Sequence, residues 1–302
     1  SRMYSGKSIV IVGGDTLIGR IVLSKLVGIM NNPCRVTLLQ RAQTDKKANA
    51  EVKPITRDPY YKLSVEKSQG QNNARVEIVY LEYSVGATEL EVAGQIGTVD
   101  YVFNCYMPYE PFSLAKSLEK HVMWTSKLVS YLEKHQPQCT LIVLSSVYSQ
   151  EPGYVTESLD LDQSIPSGFR ELKQLENYLE SVARTDLERW RTSLLLMEQI
   201  CLNSQIKGVH LVRTPVIGAC SEKPQGYIDK FNGISFLLYE IGLGKVSELK
   251  GRHSNIVDVV PVDYVCNFLL SVGWFGNGDH QIWNFSASSM NPLRLGRLIE
   301  IL

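Results

Sequence analysis

Apolar residues along this chain fall into short β-branched runs separated by stretches of helical periodicity. Ser8-Ile9-Val10-Ile11-Val12 is too short for a helix and runs into glycine, which predicts a buried strand. Gly13-Gly14 follows, and Leu17, Ile18, Ile21, Val22, Leu26 and Met30 then recur at helical spacing. Arg35-Val36-Thr37-Leu38-Leu39 predicts a second strand, which completes a βαβ unit. The alternation continues. Strands are predicted at Val76–Leu81, Tyr101–Cys105, Leu141–Ser145 and Val209–Arg213, with helices over Ser113–Lys134 and 187–204. Strands alternating with helices predict an α/β fold, a Rossmann-type doubly wound parallel sheet. The polar stretch 43–73 reads as a loop or surface insertion, and beyond about residue 214 the pattern turns irregular, as a small substrate-side subdomain would.

Composition narrows the class. The 302 residues carry 31 Lys+Arg against 31 Asp+Glu, so no net field favours nucleic acid or an anionic membrane. A hydrophobic share of 44% with 21% charged residues excludes wholesale disorder. Cys34, Cys105, Cys139, Cys201, Cys220 and Cys266 form no CxxC pair, which argues against a disulfide framework and for a reducing, intracellular compartment. The five histidines show no metal-ligand spacing, so no metal site is expected. No apolar run is long enough to predict a transmembrane segment.

The candidate nucleotide site is Gly13-Gly14-Asp15-Thr16-Leu17-Ile18-Gly19, after a strand and opening a helix. A dinucleotide turn asks for glycine at the tight bend, at the diphosphate approach and at the helix–strand contact. Gly13 and Gly19 meet the first and third demands, while Thr16 brings a Cβ to the second. Arg41, just past the second strand, stands where a guanidinium meets an adenosine 2′-phosphate, which favours NADP(H) over NAD if either binds.

The last third of the chain carries a more specific pattern. Glu222-Lys223-Pro224-Gln225-Gly226-Tyr227-Ile228-Asp229-Lys230-Phe231-Asn232-Gly233 resembles the "EP-x-PGWIDN-[FY]-NGP" segment of fatty acyl-CoA reductases, in the extended short-chain dehydrogenase/reductase superfamily. Val212 to Ala219 is similar to that family's "VRPSIVGA", Val257 to Val265 to its "DIVPVDYV", and Tyr4-Ser5-Gly6-Lys7 to its "FY-x-GK" opening. The resemblance spans the chain. It implies one extended reductase-like domain over 1–302, with a nucleotide-binding half to about 213, a substrate-side region over 214–302, and no counterpart of the family's helical C-terminal domain.

The resemblance also implies catalytic residues, and several are missing. Such reductases use a tyrosine as proton donor and a lysine four residues later, with a nearby Ser/Thr to polarise the carbonyl. Leu144-Ser145-Ser146-Val147-Tyr148 resembles "HVSTAY", making Ser146 the retained Ser/Thr. The "Y-x-x-x-K-x-x-x-E" window is matched by Trp190 to Glu198, where Trp190 replaces tyrosine and Leu194 replaces lysine. None of the 15 tyrosines has a lysine four residues on. His121 stands for the family's asparagine, and Tyr106-Met107 for small residues lining the cofactor cleft. An indole N–H does not exchange its proton at working pH, and leucine offers no charge.

Scaffold kept and site lost is the pattern of a pseudoenzyme. The sequence therefore predicts a catalytically inactive, fatty acyl-CoA reductase-like scaffold or adaptor, with no cofactor or with NADP(H) at most, and a protein partner or homodimer. One alternative is an NADPH-dependent fatty acyl-CoA reductase with a displaced proton donor at Ser146 and Tyr148 or a water. Another is a sensor of NADP(H) or an acyl ligand without turnover.

Overall fold

The computed structural model describes residues 3–29, 34–41, 76–83, 96–106, 122–150, 156–159, 172–229, 233–246, 248–288 and 290–301. Among these residues seven strands form the main sheet: β1 (Ser8–Val12), β2 (Cys34–Arg41), β3 (Val76–Tyr83), β4 (Tyr101–Asn104), β5 (Thr140–Ser146), β6 (Gly208–Thr214) and β9 (Gln281–Asn284). Their order is β3-β2-β1-β4-β5-β6-β9, and every neighbouring pair is parallel. A parallel sheet is covered on both faces, so its strands are continuous apolar runs rather than alternating ones. The sequences IVIV, LIVL and VHLV show this, and nearly every residue of β1, β5 and β6 is buried.

Helices α1 (Leu17–Ile29) and α6 (Val262–Phe275) cover one face. Their side chains join those of β1 and β4 in one cluster that includes Ile9, Ile11, Leu26, Phe103, Val265 and Leu269. Helices α2 (Trp124–His135) and α4 (Asp186–Leu202) cover the other, with Val10, Val12, Leu128, Leu132, Leu141, Val143, Leu194 and Met197 packed together. The start of α4 is fixed by a capping box in which Thr185 Oγ1 accepts from the Glu188 amide and the Glu188 carboxylate accepts from the Thr185 amide. Helix α3 (Leu172–Val182) lies beside α4 through Leu175, Leu179 and Leu196. Leu175 and Leu179 thus meet the chain's own core, while Val182 is exposed.

Residues beyond 214 are more regular than their sequence suggests. They form a two-stranded parallel sheet of β7 (Val216–Gly218) and β8 (Val259–Pro261), then α5 (Gly233–Gly242), α6, β9 and α7 (Leu295–Ile301). Two of these elements serve the nucleotide half directly, because β9 pairs with β6 and α6 packs on α1. The helix expected over Ser113–Lys134 is described from Trp124 onward, and the 43–73 stretch lies outside the described residues. Among the described residues no helix is long and apolar enough to cross a membrane.

Register aligns the strand ends that matter. Val12 pairs with Asn104, and Ser146 with Thr214, so the glycine turn, Tyr106, Ser146 and Thr214 lie at the carboxyl ends of β1, β4, β5 and β6. In open α/β sheets ligands bind at that edge, where strand order reverses, here between β1 and β4.

Candidate active site

The glycine turn is built tightly. Gly13 has φ +76°, a conformation that favours glycine, and its amide donates to Leu39 O at 2.9 Å. A Cβ there would press against the Cα and Cβ of Tyr106, each 3.2 Å away. A Cβ on Gly19 would collide with the Gly13 carbonyl oxygen, which is why α1 can lie so close to the turn. Gly14 faces Leu38, 3.0 Å from where its Cβ would stand. The first and third glycine positions are thus demanded by the backbone itself.

Thr16 turns its hydroxyl inward. Oγ1 donates to Gly13 O at 2.7 Å and accepts from the Gly19 amide at 3.1 Å, so Thr16 is the N-cap of α1. The amides of Leu17 and Ile18, in the first turn, have no intrahelical acceptor by helix geometry and remain for an anion. The turn therefore keeps these two amides at the helix start, one fewer than a glycine at 16 would leave. Arg41 is the last residue of β2, paired in register with Tyr83; its side chain is outside the described residues, as are His121 and Met107.

Ser146 ends β5, is buried, and accepts the Tyr148 amide at 3.2 Å. Tyr148 follows in a 3-10 turn over Val147–Ser149 and is 43% exposed. Helix α4 reaches this turn through Arg191, whose Nε donates to the Tyr148 carbonyl at 3.2 Å. Trp190 and Leu194 do not form a donor pair at the edge. Leu194 is fully buried and Trp190 half-buried, both packed in the core cluster between α2, α4 and the sheet. The buried Trp190 Nε1 has no hydrogen-bond acceptor among the described residues. Cys105, just past β4, is buried, which pushes its thiol up to about 12.

A charged network lies beneath this edge that motif reading did not connect. Arg213 on β6 and Glu198 on α4 are both fully buried and paired bidentately, with Nη2–Oε2 at 2.6 Å and Nε–Oε1 at 2.9 Å. Ser145 Oγ donates to Glu198 Oε1 at 2.5 Å, while Arg213 Nη1 donates to the carbonyls of Thr156 and Ser158 at 2.9 and 3.2 Å. Glu157 in that loop accepts the Asn284 amide at 3.0 Å. The network ties β5, α4, β6, β9 and the 156–159 loop together. Its signal in the sequence was one charge inside each of two apolar runs, LLLMEQIC and VHLVRT.

The motifs of the last third are clamps. Glu222 pairs with Lys25 at 2.9 Å and Asp229 with Arg20 at 2.6 Å, holding the 222–229 segment on α1. Arg20 Nη1 also donates to Asp15 O at 2.6 Å, inside the glycine turn. Asp263, in the 257–265 motif, accepts from the amide and hydroxyl of Ser221, each at 2.7 Å. Burial raises the Asp263 carboxyl, but these hydrogen bonds outweigh it and hold the group below its ordinary value. At the other end Tyr4, buried against Tyr101, Phe103 and Trp274, donates its hydroxyl to Leu270 O at 2.6 Å.

The parallel sheet, the glycine turn at its switch point and the ligand edge beyond define an extended short-chain dehydrogenase/reductase fold. Solved structures share it. The terminal R domain from the myxalamid PKS-NRPS biosynthetic pathway superposes with a TM-score of 0.65 at 14% identity, over 98% of this chain and 69% of that one. The Bordetella bronchiseptica enzyme WbmF in complex with NAD+ gives 0.58 at 14% identity, over 98% and 77%. The sequence profile described as male sterility protein, an NAD-binding type, matches residues 11–269, and the chain belongs to that family. Fatty acyl-CoA reductase 1 of Xenopus laevis is 22% identical over 327 residues, covering 98% of this chain. The chain spans 60% of the length of that relative. An NAD-binding family supports a nicotinamide cofactor without choosing NADP over NAD; the sequence expectation was none, or NADP(H) if any.

Proposed function

We propose that the chain is a nicotinamide-dependent reductase of fatty acyl thioesters whose proton donor sits at the end of β5 instead of on α4. The observation that carries this reading is Tyr148, a partly exposed phenol two residues past Ser146, on a turn held by Arg191 of α4. The family match and the acyl-CoA reductase relatives support it over a chain with no chemistry.

The roles follow from the geometry. The first-turn amides of Leu17 and Ile18 hold the diphosphate; a preference for a 2′-phosphate rests on the sequence position of Arg41 alone. When bound, the dinucleotide supplies a hydride. Ser146 Oγ accepts the Tyr148 amide and keeps its own hydrogen for an acyl carbonyl oxygen. Proton delivery falls to Tyr148, whose backbone carbonyl accepts from Arg191 Nε.

A second reading, a scaffold without turnover, rests on Leu194: a position that would carry the lysine is fully buried in the core. One experiment separates the readings. NADPH is titrated while the melting temperature is followed, and its oxidation is then measured with a long-chain acyl-CoA. The proposal expects stabilisation by NADPH and turnover that Tyr148→Phe lowers by roughly 10²–10⁴-fold without altering the thermal shift. Stabilisation without oxidation makes the chain a sensor. Neither makes it a scaffold, homodimeric or bound to a protein partner.

A further inference from the structure

Tyr148 is aimed from outside its own turn. The 3-10 turn Val147–Ser149 is short, and the bond that closes it, from the Gln150 amide to the Val147 carbonyl, is long at 3.4 Å. The Tyr148 amide rests on Ser146 Oγ and its carbonyl on Arg191 Nε, each at 3.2 Å. The far end of the turn is left to Gln150. Its side-chain Oε1 accepts from the Thr156 amide and its Nε2 donates to the Ser158 carbonyl, both at 3.0 Å. The carbonyls of the same two residues accept from Arg213 Nη1, and their hydroxyls meet each other at 2.7 Å.

We infer that Gln150 is a positioning residue for Tyr148, coupling its turn to the buried Arg213–Glu198 pair; the inference rests on the reading of Tyr148 as proton donor and names what aims it. The hydrogen bonds close a ring. It leaves β5 at Ser145, whose Oγ donates to Glu198, passes through Arg213 and the 156–158 loop, and returns at Gln150. Ser146 and Tyr148 stand between those two points of the chain. Bonds in such a chain polarise and strengthen one another, and the anchor is an ion pair whose side chains are fully buried. A primary amide suits position 150 because it accepts at one atom and donates at the other. An ionised glutamate there would only accept, and alanine would do neither. Gln150 thus acts through the turn and not on the substrate. Its weight comes from geometry, since a misplacement of about 1 Å at a reacting group costs roughly 10²-fold in rate.

The test compares Gln150→Ala and Gln150→Glu with the wild type in two measurements; two variants are used so that one that fails to fold does not decide the matter. Hydrogen exchange read by mass spectrometry, on the chain alone, reports on the turn without any turnover. The amides of Tyr148 and Gln150 should exchange roughly tenfold faster in both variants, while those of residues 141–144 in β5 keep their protection. NADPH oxidation with a long-chain acyl-CoA reads the consequence. There kcat should fall by roughly 10²-fold, with KM and the NADPH-induced thermal shift unmoved. Unchanged exchange at the turn in both variants overturns the inference. So does faster exchange that spreads through β5, which would make Gln150 a general structural support, and so does an active wild type whose kcat neither variant lowers. A wild type that oxidises no NADPH sinks the reductase reading alone, and the exchange result still decides whether Gln150 holds the turn.

Discussion

The start of α1 and the inner face of α4 flank the same sheet and have fared differently. At α1 the residues that resemble the reductase pattern are those the backbone demands, Gly13 with its positive φ and Gly19 with no room for a Cβ, while the departure at Thr16 closes the turn as a cap. On α4 the residues that resemble the pattern are likewise structural, since Glu198 holds Arg213 in a buried pair. The two positions whose value would be purely chemical, 190 and 194, are occupied by core side chains. The difference teaches that likeness to a family in this chain follows mechanical need. Catalytic residues must then be sought where side chains remain exposed, at the end of β5.

The most forceful way to break that comparison is to write the lysine back. Leu194→Lys puts an ammonium in a fully buried site, where a lysine pKa drops by about 3–5 units, equivalent to about 4–7 kcal/mol. We expect collapse of the urea midpoint, and Trp190→Tyr should not rescue it. Persistence of wild-type stability would mean that the face is open after all. Next comes Arg213→Ala, which leaves Glu198 buried and alone and should cost about 3–5 kcal/mol by chemical denaturation. A loss under 1 kcal/mol would show the network to be hydrated.

Gly19→Ala tests the cradle side. Its Cβ meets backbone, so about 1–3 kcal/mol of stability should be lost, together with any NADPH-induced thermal shift; an unchanged shift would separate the turn from the ligand. Thr16→Ala removes only the cap and should cost about 1 kcal/mol, with Thr16→Gly milder.

The smallest effect is a pH dependence. His210, buried in β6, has its pKa held below the ordinary value by burial, with the charge of nearby His280 adding to it. The unfolded chain then binds the proton first as pH falls, so stability is full above about 6.5 and declines below it until the folded group titrates as well. A melting series from pH 7.5 to 5 should show the decline, and His210→Gln should flatten it. An identical slope in the variant would assign the effect elsewhere.

The sheet was legible because parallel strands buried on both faces write themselves as apolar runs; β1, β2, β5 and β6 fall within a residue or two of their expected places. The last third was not, because its elements are short and their meaning is tertiary. Nothing local in QIWN says that it pairs with β6, and the charges of Arg20 and Asp229 lie 209 residues apart. At the site, glycine spacing revealed the turn, but the inward hydroxyl of Thr16 could not be read from its name. Loss of the Tyr/Lys pair was plain, whereas the Arg191 contact to Tyr148 joins two elements 43 residues apart and depends on the fold.

The hydroxyl of Tyr4 reaches the carbonyl of Leu270, 266 residues later in the chain. A ribosome releases the glycine turn well before it makes the helix that backs α1 and the strand that closes the sheet. The turn is thus completed by residues that follow it at long range. Throughout that interval the nascent chain holds β1 with one face uncovered, and chaperone demand should fall with the arrival of residues 262–284.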